Sequence, residues 1–370
     1  MIGTDGRTAP EGSITDRMMP ECGLIPGVVL PAAILLAPTP YLGVFAIAYV
    51  ILTALGDAWF PDAGTARQRS GASRMGDFWL FLFGAELICF LAVAFVAAAP
   101  GTMPPWQFLG LVFTGGLIMG VNFNVSHDLI HRLTNRWKWG YGYFLLMLSL
   151  DSQLSVSHVY GHHANVGTEA DPATARRGET LYGFFVRSSL GQYREACEFE
   201  EKRLHRHGRH ALSPRNRVLT GALGSMAVCA LVWVGFGGWA LLFYLAACLI
   251  GKFFYESAQY IQHYGLVRVP RKRVQPGDSW DCSGAASRFF MFNQSYHSNH
   301  HLYANRRCWE LRFEERAVRM PHGYVAMMFA AAVPPLWFRL ADPLLDRRLA
   351  ERASSEGTQA GGSNAPYGAE

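Results

Sequence analysis

The chain has 370 residues, half of them apolar and only 16 per cent charged, with 24 Phe, 15 Tyr and 10 Trp. That balance argues against a soluble domain and for a membrane protein, and with a formal net charge of +5 no nucleic-acid partner is expected. The seven cysteines contain no Cys-x-x-Cys, which excludes a disulfide framework and a fused rubredoxin or zinc ribbon.

Residues 1–22 are polar, carry Arg7 and Arg17, and are not expected to hold a cleavable signal peptide. Apolar runs then come in three pairs: 24–38 and 41–56, broken at Pro38 and Pro40; 78–99 and 106–126, hinged at 100–105; and 217–236 and 239–262, turning at Gly237 and Gly238. About six transmembrane helices are predicted, the first pair being short enough to form a tilted or shallow hairpin. The connections 39–40, 100–105 and 237–238 carry no Lys or Arg, so the positive-inside rule puts both termini and the long connections in the cytoplasm. The fold class read from this is an all-α, multi-pass protein of the inner (plasma) membrane with one domain over residues 23–345 and a disordered tail over 346–370.

Between and beyond the spans lie several polar features. Asp57 and Asp62 end the second span, and Asn122 and Asn124 lie on the last turns of the fourth. Residues 141–156 are apolar but interrupted by Asp151, Ser152 and Gln153, as expected of a helix that dips in and lines a cavity. The stretch from Glu195 to Arg217 reads as a charged, solvated helix near anionic lipid, so its histidines, His205, His207 and His210, are left out of any site. Lys252 and Glu256, four apart in the sixth run, read as a buried ion pair. Residues 323–338, split by Pro334 and Pro335, suit an interfacial or re-entrant helix.

Nine of the 13 histidines carry the chemistry: His127 and His131; His158, His162 and His163; His263; and His297, His300 and His301. Residues four apart on a helix share a face, so His127/His131, His158/His162 and His297/His301 can each aim two imidazoles at one point. A single zinc is satisfied by about four ligands, so nine point to a dinuclear centre. Every cluster falls on the same predicted side, at the cytoplasmic mouth of the bundle. Metal-bound imidazoles donate their second N–H to an acceptor, and Asp57, Asp128, Glu169, Asp171 and Glu179 are the candidates.

The ordered set His-Asp-x-x-His, His-x-x-x-His-His, Gln-His-Tyr-Gly-Leu and His-x-x-His-His resembles the membrane di-iron alkane 1-monooxygenases and the related xylene monooxygenase hydroxylase subunits, which have a fatty acid desaturase-like fold. Supporting phrases are Thr-Glu-Ala-Asp-Pro-Ala-Thr-Ala-Arg after the second cluster and Gln-His-Tyr-Gly-Leu-Val-Arg, which leans toward the alkyl-aromatic branch. The chain departs from the pattern at Asp128, where the family has Glu, at Ser157 before His158, and in lacking a Leu-Gln-Arg lead-in to the last cluster. The resemblance implies that the nine histidines hold two iron ions, with O₂ as co-substrate. It implies a membrane-dissolved hydrophobic substrate and a separate donor, a rubredoxin or ferredoxin with its NAD(P)H reductase, attracted to Arg176, Arg177, Arg271, Lys272, Arg273, Arg306 and Arg307. The expected reaction converts a terminal or benzylic methyl group to a primary alcohol. A fatty acyl desaturase or decarboxylase would use the same site.

Overall fold

The computed structural model describes residues 20–60, 73–269 and 272–361. Arg7, Arg17, Asp62, Arg271 and residues 362–370 lie outside them. The described chain is almost entirely helical. α1 (Cys22–Leu36) is a short apolar helix with a π-helical turn at Ile25–Val29. It is followed by α2 (Leu42–Trp59), α3 (Arg74–Ala98) and α4 (Pro105–Ile130). α5 (Arg136–Leu148) leads into α6, a distorted helical segment over 154–165, and then α7 (Leu181–Arg206). α8 (Arg217–His263) is the longest element. Short helices α9 (Ala285–Phe290) and α10 (His297–Leu302) precede α11 (Tyr324–Ala331) and α12 (Pro334–Gly361). One two-residue parallel bridge pairs β1 (Trp280–Asp281) with β2 (Val318–Arg319).

Local chemistry sets these boundaries. Side chains of Ser73, Asn135, Thr180 and Asn216 accept from the third residue onward, at 3.0–3.2 Å, and so cap α3, α5, α7 and α8. α8 is not one rod. Gly237 has φ 82°, a conformation that a residue with a Cβ resists, and it breaks the helix into two arms. Ser225 and Cys248, on opposite arms, both bond to the adjacent carbonyls of Met147 and Leu148, so the chain folds back at the glycine.

Among the described residues, four helices are long and apolar enough to cross a membrane: α2, α3, α4 and α8. α11 and α12, bent by 120° at Pro334, bring the count to five if taken as one broken span. Counted as two arms, α8 supplies the fifth and sixth of the expected runs, and of the six only the first falls short of a span. The run 24–38 yields only α1, too short for a bilayer core that needs about 20 residues, because the chain turns before Pro38 and Pro40. The paired runs at the end survive as the two arms of α8. The charged helix also differs from expectation. It starts at Leu181 and ends at Arg206, leaving 207–216 as turns, and Glu200 ties the ends together by bonding Arg203 at 2.7 Å and Arg217 at 2.5 Å. α12 runs through Gly361, and Arg352 on it is held by the Val267 carbonyl at 2.9 Å and by Asp278 at 3.2 Å.

The core packs α4 between α2, α3 and the second arm of α8. Aromatic pairs such as Phe95 with Tyr244 and Phe123 with Tyr255 knit the arms to their neighbours. Lys252 does pair with Glu256 at 2.8 Å, but Asp151 lies equally close, making a buried triad. The result is a rigid base from which four separate chain segments carry the histidines.

Candidate metal centre

α4 ends with His127 in its last turn and His131 as its C-cap, one turn apart on one face. α8 ends on His263. α10 begins with His297, fixed because the carboxylate of Asp281 accepts from the Ser298 N–H at 2.7 Å. The fourth segment, α6, is π-helical from Ser157 to His162. In π-helix the bonding runs i→i+5 and each turn takes more residues than in α-helix, so the side-chain register of α-helix does not hold here.

The nine side chains form two groups whose donor atoms all lie within 4.8 Å of one another: His127, His131, His158, His163 and His300 in one, and His162, His263, His297 and His301 in the other. The Nε2 atoms converge edge to edge. His127 meets His158 at 2.7 Å, His163 meets His158 and His300 at 3.0 Å each, and His297 meets His263 at 2.9 Å and His301 at 3.0 Å. The expected pairing of His158 with His162 is corrected: His158 shares a group with His163, five residues on, and His162 turns to the other group. His127/His131 and His297/His301, on α-helix, each share a group. Both adjacent pairs, His162/His163 and His300/His301, are split between the groups.

Six of these rings are held neutral. Burial first, then repulsion from neighbouring rings, holds His158, His163, His297, His300 and His301 well below the usual imidazole value, and His131 at about 3. A neutral imidazole is the form that binds metal. Among the described residues no protein partner satisfies the buried Nε2 atoms of His131 and His162. Buried lone pairs facing one another without protons enough to share are costly unless a cation sits among them. The donor set therefore fits two metal ions, one per group, and all-imidazole coordination suits zinc, copper, iron or nickel.

Of the five acids expected behind the rings, the structure brings one to a histidine. Asp171 accepts from Nδ1 of His162 at 2.9 Å, and also from Ala173 N at 3.0 Å and Thr174 Oγ1 at 2.6 Å. Asp128 instead pairs with Arg132 and accepts from Cys308 N at 2.7 Å. Asp57 holds Ser287, accepting its N–H at 2.9 Å. Glu179 is engaged by Arg187 at 2.7 Å, and Glu169 is exposed. His205, His207 and His210 are likewise exposed, away from both groups.

Three supporting residues were not singled out from the sequence. Arg268 is buried and donates to the carbonyls of Ala164 and Val166 at 2.8 and 2.7 Å, locking the loop after His163 to the loop after His263. Asp281 has its carboxyl pushed up to about 8 by burial, despite the bonds from Ser298. Glu195, raised to about 8 by burial and by the nearby charges of Asp171 and Glu198, bonds Asn165 and packs on Gly161. A Cβ on Gly161 would lie 2.2 Å from its carboxylate, so only glycine lets α7 approach α6 here. The position of Arg268 five residues after His263, in Gln-His-Tyr-Gly-Leu-Val-Arg, was the available signal; Glu195 was hidden in a charge run.

A narrow cavity of about 20 Å³ opens between the groups, lined by His127, His158 and His297 with Asn124, Tyr255 and Gln294. Above it on α4, Val121, Ile118 and Leu117 line an apolar cavity of about 30 Å³, and Leu117 also borders a second one of about 150 Å³ with Phe253, Phe290 and Phe329. Residues 117, 121 and 124 fall on one helical face that ends at His127. Small apolar cavities thus lie along α4 on the stretch that precedes its histidines.

Residues 103–331 match the fatty acid desaturase family. The chain belongs to that family. The matched stretch takes in all nine histidines. Among curated relatives, it is 32% identical over 250 residues to an alkane 1-monooxygenase of Acinetobacter baylyi, covering 66% of this chain and 60% of that one. It is 33% identical over 245 residues to alkane 1-monooxygenase 2 of Pseudomonas aeruginosa, covering 64% of each. It is also 32% identical over 259 residues to the xylene/toluene monooxygenase hydroxylase component of Pseudomonas putida, covering 68% and 69%. The chain spans about six tenths of the length of the alkane 1-monooxygenases it matches.

Proposed function

We propose that this chain is the hydroxylase of a membrane di-iron monooxygenase that converts the terminal or benzylic methyl group of a hydrophobic substrate to a primary alcohol. The observation that carries this reading is the meeting of two buried, all-imidazole groups beside a small cavity lined by His127, His158 and His297. Two iron ions held there would supply what no side chain can, oxidation of an unactivated C–H bond by O₂. The balance is R–CH₃ + O₂ + 2e⁻ + 2H⁺ giving R–CH₂OH and H₂O, so two electrons must come from a separate reductase chain.

The protein's own part is positioning and exclusion. His127, His131, His158, His163 and His300 would hold one metal, and His162, His263, His297 and His301 the other. Asp171 fixes the ring of His162. The face of α4 from Leu117 to Asn124 would deliver the methyl group from the bilayer while keeping bulk water out. Asn124 and Gln294 at the cavity wall can hold protons or water without adding charge. The distribution of Lys and Arg supports a cytoplasmic site in an inner membrane.

A second reading, desaturation or decarboxylation of a fatty acyl chain, is favoured by the family match itself. The test is product analysis by gas chromatography and mass spectrometry in cells carrying the protein with a rubredoxin or ferredoxin system, fed octane, p-xylene and dodecanoic acid together. A primary alcohol from either hydrocarbon is expected. An alkene or unsaturated acid without alcohol would replace the hydroxylase reading by the second.

A further inference from the structure

The positive charges expected to receive an electron donor do not form one patch. Arg177 is paired with Asp346 at 2.6 Å, Arg306 lies over the ring of Tyr303 at 3.8 Å, and Arg307 faces Trp309. Lys272 and Arg273 are different. They line a recess of about 660 Å³ between the loop after α8 and the far half of α12, together with Arg268, Arg316, Arg348 and Arg352. Two acids answer these six cations. Asp278 is tied to Gln275 N at 2.8 Å and to Arg352 at 3.2 Å, and Glu351 lies 3.5 Å from Arg348. Arg268 spends its N–H groups on carbonyls, which fix the guanidinium without neutralising it.

The recess abuts the metal centre. Pro276 on its wall accepts from Ser298 Oγ at 2.8 Å, and Ser298 follows His297. Arg268 grips the carbonyls just after His163. The histidines are thus one layer of chain away from the cations. Flanking Arg268 in the chain, Val267 and Val269 are 66% and 51% exposed. Cations around exposed apolar side chains suit an acidic protein surface better than a small inorganic anion.

Trp337 on α12 packs against Tyr260 and Tyr264, level with the end of α8, at ring separations of 5.3 and 5.2 Å. Arg348 and Arg352 lie 11 and 15 residues further along that helix, roughly 17 and 22 Å at the α-helical rise. The recess thus lies where the far half of α12 meets the loop after α8, and its nearness to the histidines suits a protein that hands electrons to the metals.

Resting on the monooxygenase reading, we propose that this recess is the docking site for the acidic face of the soluble electron donor. The donor delivers one electron per encounter, so it must dock and leave twice per turnover, which favours a charged interface of modest affinity.

The test uses the full chain, iron-loaded in nanodiscs of neutral lipid, and whichever of a rubredoxin or a plant-type ferredoxin reduces its iron faster. Lys272→Glu and Arg316→Glu, both exposed side chains, are combined and compared with Arg306→Glu. The double variant is expected to weaken donor binding about ten- to a hundredfold at 50 mM salt, with the gap closing above about 300 mM. Reduction of the iron by dithionite should be unchanged, and Arg306→Glu should bind within about twofold of the parent. Unchanged binding in the double variant, or an equal loss in Arg306→Glu, would overturn the proposal. A loss that appears only when phosphatidylglycerol is present would assign the recess to lipid and overturn it too. Hydrocarbon oxidation that persists while the double variant binds donor normally sinks the recess alone. Donor binding lost as expected in a protein that yields only alkenes sinks the hydroxylase reading and leaves the recess standing.

Discussion

Asp171→Asn is the sharpest probe of the metal centre. Asp171 is fully buried, and its carboxylate accepts three bonds, from His162 Nδ1 at 2.9 Å, Ala173 N at 3.0 Å and Thr174 Oγ1 at 2.6 Å. Asparagine has the same shape but only one accepting oxygen, so Nδ1 of His162 loses a charged acceptor or faces an N–H. Loss of such a partner costs about 10- to 100-fold in metal affinity, or about 1.4–2.8 kcal/mol. The assay is iron retained, by plasma mass spectrometry, across a chelator series. Two controls separate this from a folding defect. Thr174→Val removes a bond to the same carboxylate but not the one from His162, and should retain iron within about threefold. Asp171→Asn added to His162→Gln should cost less than about 0.5 kcal/mol more, since a shared path is non-additive. Full additivity in the double variant would refute the claim that Asp171 acts through His162.

Four further outcomes follow from the same geometry. The fold keeps His131 at about 3 against about 6.5 in the unfolded chain, so its contribution to stability is complete above pH 6.5 and is lost as pH falls toward 3. At pH 5 that is about 2 kcal/mol for this ring alone, and with His158, His163, His297, His300 and His301 depressed too, thermal melts of the metal-free protein should steepen downward below pH 6.5. A flat melting temperature from pH 7 to 5 would contradict the neutral-ring assignment. Gly161→Ala drives a methyl group into the Glu195 carboxylate and should lower iron content, with recovery on adding Glu195→Ala; an unaffected single variant would show that α7 gives way freely. Val121→Trp should fill the apolar path on α4, raising KM for octane at least about tenfold while iron content holds, and an unchanged KM would move the substrate route elsewhere. Lys252→Met strands Asp151 and Glu256 without their cation, which costs about 3–5 kcal/mol and should show as a large fall in thermal stability at neutral pH.

The sequence carried the site more fully than the fold. Clustered histidines at short spacing are legible because their count alone exceeds what chance or one metal explains, and the structure gathers all nine into two groups. What spacing could not carry was the partition. The rule of four holds at His127/His131 and His297/His301, where the backbone is α-helical, and fails at His158/His162, where six residues adopt π-helix. Nothing in Ser-His-Val-Tyr-Gly-His announces that extra residue per turn. Supporting acids were legible only by proximity in sequence, which found Asp171 but also nominated Asp57 and Asp128, held by Ser287 and Cys308 far along the chain, and Glu179, held by nearby Arg187. Composition located the apolar runs and the turn at Gly237 that folds α8 into two arms, and the break at Pro38 and Pro40 already marked the first run as short.

The split of His162 from His163 and of His300 from His301 links the two groups mechanically. On α6 and again on α10, the backbone that presents a ligand to one metal presents the next residue to the other. Filling either group freezes the turn that shapes its neighbour, so the second ion meets a site already organised by the first. The pair should therefore load and unload as one cooperative unit, with singly occupied protein scarce at every iron concentration. Such a protein is protected against the half-filled state in which electrons arrive and only one metal is present to receive them.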